Sequence, residues 1–352
     1  MHAKVKKCIA SLLLLISWQC TQAQGQEDFL SAPDRDFLSA PDRVQWDAGG
    51  LYDGRLEDGT PFEIELAYPL PETVPVRAGN GFVQVVWYPR HYTGTPSMLL
   101  AAGGAGLQKR LAVANQQGVA SDESYTITLT PDRASGRGVW TGPGTAGQRT
   151  FTLRRSVTYV GIVVTRPASA DLAAYSSYYR EKGFLFSAFF PKLGDPGADG
   201  WIRQHAGNCR DTGECANSVR VVWRSPSLVS LKALDWGDSG GAHGVGHSET
   251  RQYRIQDGTV TPLDLDAFID PSKSCREQVS AAIIAKLRAK NMSWADKAGL
   301  DAPREVRFTP TPDGVAFHYD SYEAGPYAQG APTVFVPRAE MGTCVKHLPA
   351  DE

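Results

Sequence analysis

The sequence predicts an α+β protein in which an N-terminal antiparallel β meander, a small barrel or sandwich, is followed by an α+β domain. Three observations predict it. Segments such as "FEIELAY" (62–68) and "YTITLT" (125–130) alternate with the two-residue period of half-buried strands, Phe62, Ile64, Leu66 and Tyr68 on one face against Glu63 and Glu65 on the other. Turn signals, "EDGT", "AGNG", "AAGGAG" and "TGPGTAG", punctuate these segments. Further on, Val279, Ile283 and Leu287 recur every four residues, which lays one apolar stripe along a single helix set among strands.

The first residues do not belong to the fold. Lys4, Lys6 and Lys7 precede an apolar run from Ile9 to Trp18, and Thr21-Gln22-Ala23 supplies the small residues of a cleavage site, so residues 1–23 read as a secretory signal peptide. No later stretch approaches the roughly 18 uninterrupted apolar residues of a membrane span. The mature chain is therefore expected to be periplasmic or secreted and not integral to the membrane. Cys20 invites a lipid anchor, but Trp18 and Gln19 before it are not the small residues that lipidation needs. Residues 24–45 read as a linker: "DFLSAPDRDFLSAPDR" (28–43) is an exact tandem copy, too short to stack as a solenoid and too polar to bury a core.

The meander domain spans residues 46–165, with further strands at 82–88, 110–114 and 151–155. The second domain spans 175–345. Strands are expected at 183–191, 219–224, 228–236 and 250–255, then a helix from Cys275 to about Lys290. Ser274 with Glu277 three residues on forms its capping box, and Asn291 stops it. "EVRFTPTPDGVAFHY" then reads as a hairpin turning at Asp313-Gly314. About 330 mature residues exceed one comfortable core, which is why two domains are expected.

Formal charge is −2 with a pI near 6.4, and the basic residues are scattered, so nucleic acid is not expected as a partner. After loss of Cys8 and Cys20 with the signal, Cys209, Cys215, Cys275 and Cys344 remain, an even number for an oxidising compartment. Four cysteines allow three pairings. The favoured one joins Cys209 to Cys215 around "CRDTGEC" and Cys275 to Cys344, tying the helix start to the C-terminal tail. A structural zinc site lacks the paired CxxC spacing it would need.

"WGDSGGAHGVGH" (236–247) raises the question of a serine hydrolase using Ser239. Such a nucleophile needs a histidine base and an orienting acid. His91 and Asp132 lie upstream, but His91 sits in "YPRHYTG", no cysteine shortly precedes Ser239, and Ala242 rather than proline follows Gly241. Ser239 therefore reads as a turn residue. His243 and His247 have a spacing that two metal ligands can share on a helix, but "AHGVGH" with its glycines is a poor helix. Asp238 and Glu249 are the acids near them. No metal or cofactor is expected.

Two longer segments carry a resemblance. "SGGAHGVGHSETRQYRIQDGTVTPLDLDAFID" and, after the helix, "FTPTPDGVAFHYDSYEAGPYAQGAPTVFVPRAEM" resemble the exported domain shared by RsiV-type lysozyme-sensing anti-sigma factors and PdaC-type peptidoglycan deacetylases, across about residues 175–345. The resemblance implies a non-catalytic, RsiV-like α+β domain associated with the cell wall, which in the RsiV-type case binds lysozyme. The chain lacks both a sigma-binding segment with its membrane helix and the Asp-Asp metal motif of a deacetylase.

Binding is the function expected, with a lysozyme-like muramidase as protein partner that the chain inhibits or sequesters, as a lysozyme inhibitor or immunity protein. Lysozymes have a deep sugar cleft and are commonly basic, so a rigid protruding loop with hydrogen-bonding and acidic groups would suit them. "YDSYEAGPYAQG" offers Tyr319, Tyr322 and Tyr327 for contact area, Asp320 and Glu323 for charge, and Pro326 to stiffen the bend. Ser239 and His243 of the glycine-rich turn join them if the two segments are neighbours. The competing reading is a structural or peptidoglycan-binding envelope module without an enzyme partner.

Overall fold

The computed structural model describes residues 43–68, 85–88, 97–103, 107–114, 120–142, 147–166, 184–207, 214–238, 243–257, 259–301 and 306–348. The expected signal peptide, nearly all of the expected linker, the expected domain boundary, His91, Cys209 and Ser239 lie outside them.

Eight strands run in chain order, each antiparallel to the next: β1 (Val44–Leu56), β2 (Pro61–Ala67), β3 (Val85–Tyr88), β4 (Ser97–Gly103), β5 (Gln108–Ala114), β6 (Ala120–Leu129), β7 (Ser135–Thr141) and β8 (Gln148–Arg166). β1 pairs with β2 along one edge and with β8 along the other, so the meander returns to its own first strand. The expected alternation supplies its core. Phe62, Ile64 and Leu66 of β2 meet Tyr125, Ile127 and Leu129 of β6 and Phe151 and Leu153 of β8.

β8 carries the sheet onward. Its first residues pair with β7, and residues Thr158–Arg166 pair with β9 (Phe184–Lys192). β9 is parallel to β10 (Glu214–Arg224), after which β11 (Leu228–Asp238), β12 (Val245–Gln256) and β13 (Thr259–Leu263) follow antiparallel. The thirteen strands do not close into one barrel, because β9 to β13 extend from β8 and end at a free edge. A parallel pair cannot be joined by a hairpin. The crossover holds α1 (Pro196–Ala206), capped by the Asp195 side chain accepting from the Ala198 N–H at 2.8 Å, with Pro196 opening its first turn. Ala198, Ile202 and Ala206 of α1 pack with Val229, Leu231 and Ala233, one face of β11.

The other face of this half meets a separate antiparallel sheet, β14 (Arg307–Thr311), β15 (Gly314–His318) and β16 (Thr333–Pro337). Leu228 joins its core. The expected helix is α2 (Lys273–Ala289), and Val279, Ile283 and Leu287 are all fully buried, in one core with Val315, Phe317, Val334 and Val336. Its start lies two residues earlier than the capping box implied. Ser272 is the N-cap and makes no side-chain cap bond, so Ser274 falls inside the first turn. Its end is as expected: Asn291 takes φ 58°, and Met292 and Asn291 donate N–H bonds to the Leu287 and Arg288 carbonyls, a Schellman closure. The hairpin turns one residue early. Thr311 pairs with Gly314, leaving Pro312-Asp313 as the loop, and a Cβ on Gly314 would collide with the Val336 carbonyl. α3 (Arg338–Met341) follows β16 and leads to Cys344.

Cys275 and Cys344 form the expected disulfide, with Cα atoms 5.3 Å apart. Cys215 on β10 is also disulfide-bonded. Among the described residues no helix is long and apolar enough to cross a membrane.

A candidate binding surface at the 319–330 loop

The glycine-rich turn and the tyrosine-rich loop are neighbours. Trp236 near the end of β11 pairs across the ladder with Gly246, and its indole lies against Gly244, where any Cβ would collide with the ring. The bare backbone at Gly244 is therefore open to the loop. Its carbonyl accepts hydrogen bonds from the Tyr327 hydroxyl and from His243 Nδ1, each at 3.1 Å. A carbonyl only accepts, so the proton of neutral His243 sits on Nδ1, and Nε2 accepts from the Tyr322 hydroxyl at 3.2 Å. The His243 and Tyr327 rings stack at 3.6 Å with planes 13° apart, and Tyr322 lies 5.7 Å from Tyr327.

A second set of bonds holds the loop to the sheet. Asp320 accepts from the Ser248 N–H at 3.0 and 3.1 Å, from Ser248 Oγ at 2.6 Å, and pairs with His247 Nδ1 at 2.9 Å. Arg307 of β14, 3% exposed, reaches Asp320 at 3.6 Å and pairs with Glu323, whose carboxylate also accepts from the Asp320 N–H at 2.7 Å. The loop's far end is fixed by Gln329, which accepts from Ser293 N–H and donates to the Asn291 carbonyl. Between these anchors Tyr322 adopts φ 72°, an unusual backbone for a bulky residue. Its ring is half exposed at 50%, and that of Tyr327 is 36% exposed.

Beneath the loop the polar groups are committed to one another. Burial pushes the Lys232 amine down to about 8, partly offset by Asp320, and pushes the His318 imidazole well below its ordinary value, helped by Lys232 and Arg307. His318 Nε2 lies 2.9 Å from Thr309 Oγ1 and Nδ1 3.0 Å from Thr333 Oγ1. On the opposite side of Asp320, His247 faces Glu249 at 3.8 Å, and Glu249 faces His205 of α1 at 3.3 Å. Among the described residues there is no group of three or more His, Cys, Asp or Glu side chains that could hold a metal ion. His243 and His247 diverge, one to the tyrosines and the other to Asp320 and Glu249.

Three expected contact residues need correction. Tyr319 is 2% exposed and donates its hydroxyl to the Ala298 carbonyl at 2.6 Å, so it is core and presents nothing to a partner. Asp320 is buried and saturated by Ser248, His247 and Arg307, so it fastens the loop. Glu323 is held by Arg307 and by the loop's own backbone, so the loop offers no unpaired acid to a basic partner. Tyr322, Tyr327, His243 and Pro326 do form an exposed surface. Asp132 closes its own turn, accepting from Thr130 Oγ1 and the Ala134 N–H. Trp236, Ser248 and Arg307 were not singled out in the sequence. The signal for Trp236 was Gly244-x-Gly246, two glycines on the partner strand where an indole needs bare backbone.

Comparison with known proteins finds a match over part of the chain that includes this loop. Residues 266–339 carry a DUF3298 domain, described as a protein of unknown function. The match contains most of the second signature segment and only Asp266–Asp270 of the first. Two crystal structures of DUF3298 proteins are similar: one from Pseudomonas aeruginosa PAO1, 18% identical with a TM-score of 0.39, covering 52% of this chain and 91% of that one. The other, from Bacteroides fragilis NCTC 9343, is 15% identical with a TM-score of 0.37, covering 55% and 95%. No curated protein matches the chain.

Proposed function

We propose that this chain is an exported, non-catalytic binding protein that inhibits or sequesters a lysozyme-like peptidoglycan hydrolase, with the Tyr322–Tyr327–His243 surface as its contact. The single observation that carries this reading is the contrast within one loop. Asp320, Glu323 and Gln329 are bonded inward, while Tyr322 and Tyr327 stand exposed and are joined to each other through His243 and Gly244. Such an arrangement is ordered before a partner arrives, so little side-chain and loop entropy is lost on docking. Tyrosines also contribute large area with few rotatable bonds and a hydroxyl for a partner's polar groups.

The resemblance of both signature segments to the RsiV-type exported domain is what directs the reading to a muramidase. Because the loop's acids are internal, attraction to a basic enzyme is not supplied by the loop, and contact area with hydroxyl hydrogen bonds is the basis of affinity. The test is muramidase activity measured with and without the purified mature protein, beside a pull-down on wall sacculi. Dose-dependent inhibition supports the reading. Strong sacculus retention with no inhibition of any muramidase overturns it in favour of a peptidoglycan-binding module.

A further inference from the structure

The meander has its own concave surface, remote in sequence from the loop. A groove of about 610 Å³ lies on the outer side of β1, β6, β7 and β8. The registers explain its shape. Arg55 of β1 and Arg137 of β7 both pair with Thr152 of β8, and Thr128 of β6 pairs with Arg137, so these four side chains stand in one cross-strand row. Threonines Thr126, Thr128 and Thr152 make a floor of short side chains, and the arginines with Glu57 make a rim of long ones.

With strands about 4.8 Å apart, the two arginines flank Thr152 at about 10 Å between Cα atoms. Among the described residues neither charge is paired with an acid. Arg55 donates only to the Gly59 carbonyl among the described residues, Arg137 forms no ion pair among them, and Glu57 is turned to the Thr150 N–H and hydroxyl. The volume falls within the range of small-molecule sites.

We propose that this groove binds a carboxylate-bearing saccharide, the arginines holding carboxylate oxygens and the threonine hydroxyls meeting the sugar's hydroxyls. A guanidinium fork matches a carboxylate in two parallel bonds, which a lysine would not do. The threonine hydroxyls stand beside apolar surface from Leu56 and Val139, the mix of hydroxyl partners and apolar patches that a sugar ring presents in return. Phe151, the one aromatic lining residue, is buried and gives no face on which a nucleobase could stack. This site stands whether or not the tyrosine loop binds a muramidase.

The test is calorimetric titration of the full mature chain with two probes, trigalacturonate, whose carboxylates are on the ring, and a disaccharide containing N-acetylmuramic acid, whose carboxylate is on a lactyl ether. The proposal expects binding of at least one, and the preferred probe tells which carboxylate the groove accepts. Arg55→Gln and Arg137→Gln should each weaken it about tenfold or more with an unchanged melting temperature, because both side chains are exposed. Tyr322→Ala should leave it unchanged. Binding of neither probe overturns the proposal, as does equal binding of dextran sulfate or binding indifferent to both arginine substitutions.

Discussion

His243 lies flat on Tyr327, 3.6 Å between ring centroids, while its Nε2 accepts from the hydroxyl of Tyr322, so one imidazole joins both exposed tyrosines of the loop. The glycine-rich turn and the loop thus form a single surface, although 79 residues separate His243 from Tyr322. His243→Ala should leave both tyrosines in place but unsupported. The expected result is a weaker partner complex, by about 1–2 kcal/mol, with faster dissociation and nearly unchanged folding stability. Surface plasmon resonance on the variant checks it, and an unchanged dissociation rate would count against the joint surface.

Tyr322 separates backbone strain from contact. At φ 72° a glycine is more comfortable than a tyrosine, so Tyr322→Gly should hold or raise the melting temperature while removing the ring. Binding should fall as far as in Tyr322→Ala, about 1–3 kcal/mol. A melting temperature well below that of the native protein would show that the ring is packed for stability.

Asp320 is expected to act on folding. Asp320→Ala removes the acceptor of both Ser248 bonds and the partner of His247, and leaves Arg307 with Glu323 alone. Stability should fall by about 2–4 kcal/mol, with faster hydrogen exchange in residues 319–330. Urea denaturation of the variant against the native chain measures it.

Acid should weaken the fold through His318. Its folded pKa is held well below the usual imidazole value by burial and by two neighbouring cations, so below about pH 6.5 the unfolded chain binds a proton that the folded one refuses. Stability contributed by neutral His318 is present above that pH and is lost as pH falls. Lys232 acts in the alkaline window with the same slope: folded near 8 and unfolded near 10.4, it makes the fold more stable as pH rises between the two. An NMR titration should find the folded His318 ring still neutral at pH values where a solvent-exposed imidazole is protonated. Titration near 6.5 would show that the site is open to water.

Periodicity made the helix and several strands legible, since Val279, Ile283 and Leu287 or Phe62, Ile64 and Leu66 each repeat the period of their element. β1 was hidden, and its ladder to β8 is irregular between Asp47 and Gly49 and between Leu51 and Tyr52. Leu51 and Tyr52, successive residues on opposite faces, are both buried, in different cores, so β1 shows no apolar–polar alternation. α1 was hidden by Gly197 and Gly200, poor helix formers that tertiary packing of Ala198, Ile202 and Ala206 overrides. In the loop, composition could not tell outward from inward residues. Burial of Tyr319 and Asp320 depends on Ala298 and Ser248, distant in the chain and invisible to local pattern.

The central claim is that exposed Tyr322 and Tyr327 make the protein a muramidase-binding module. The most direct measurement titrates the purified mature chain and its Tyr322→Ala/Tyr327→Ala variant against a panel of lysozyme-like muramidases. Saturable binding of at least one enzyme by the native chain, reduced about a hundredfold or more in an equally stable variant, is the predicted result. Native protein that is folded yet binds none of the panel, or a variant that binds as tightly as the native chain, would contradict it.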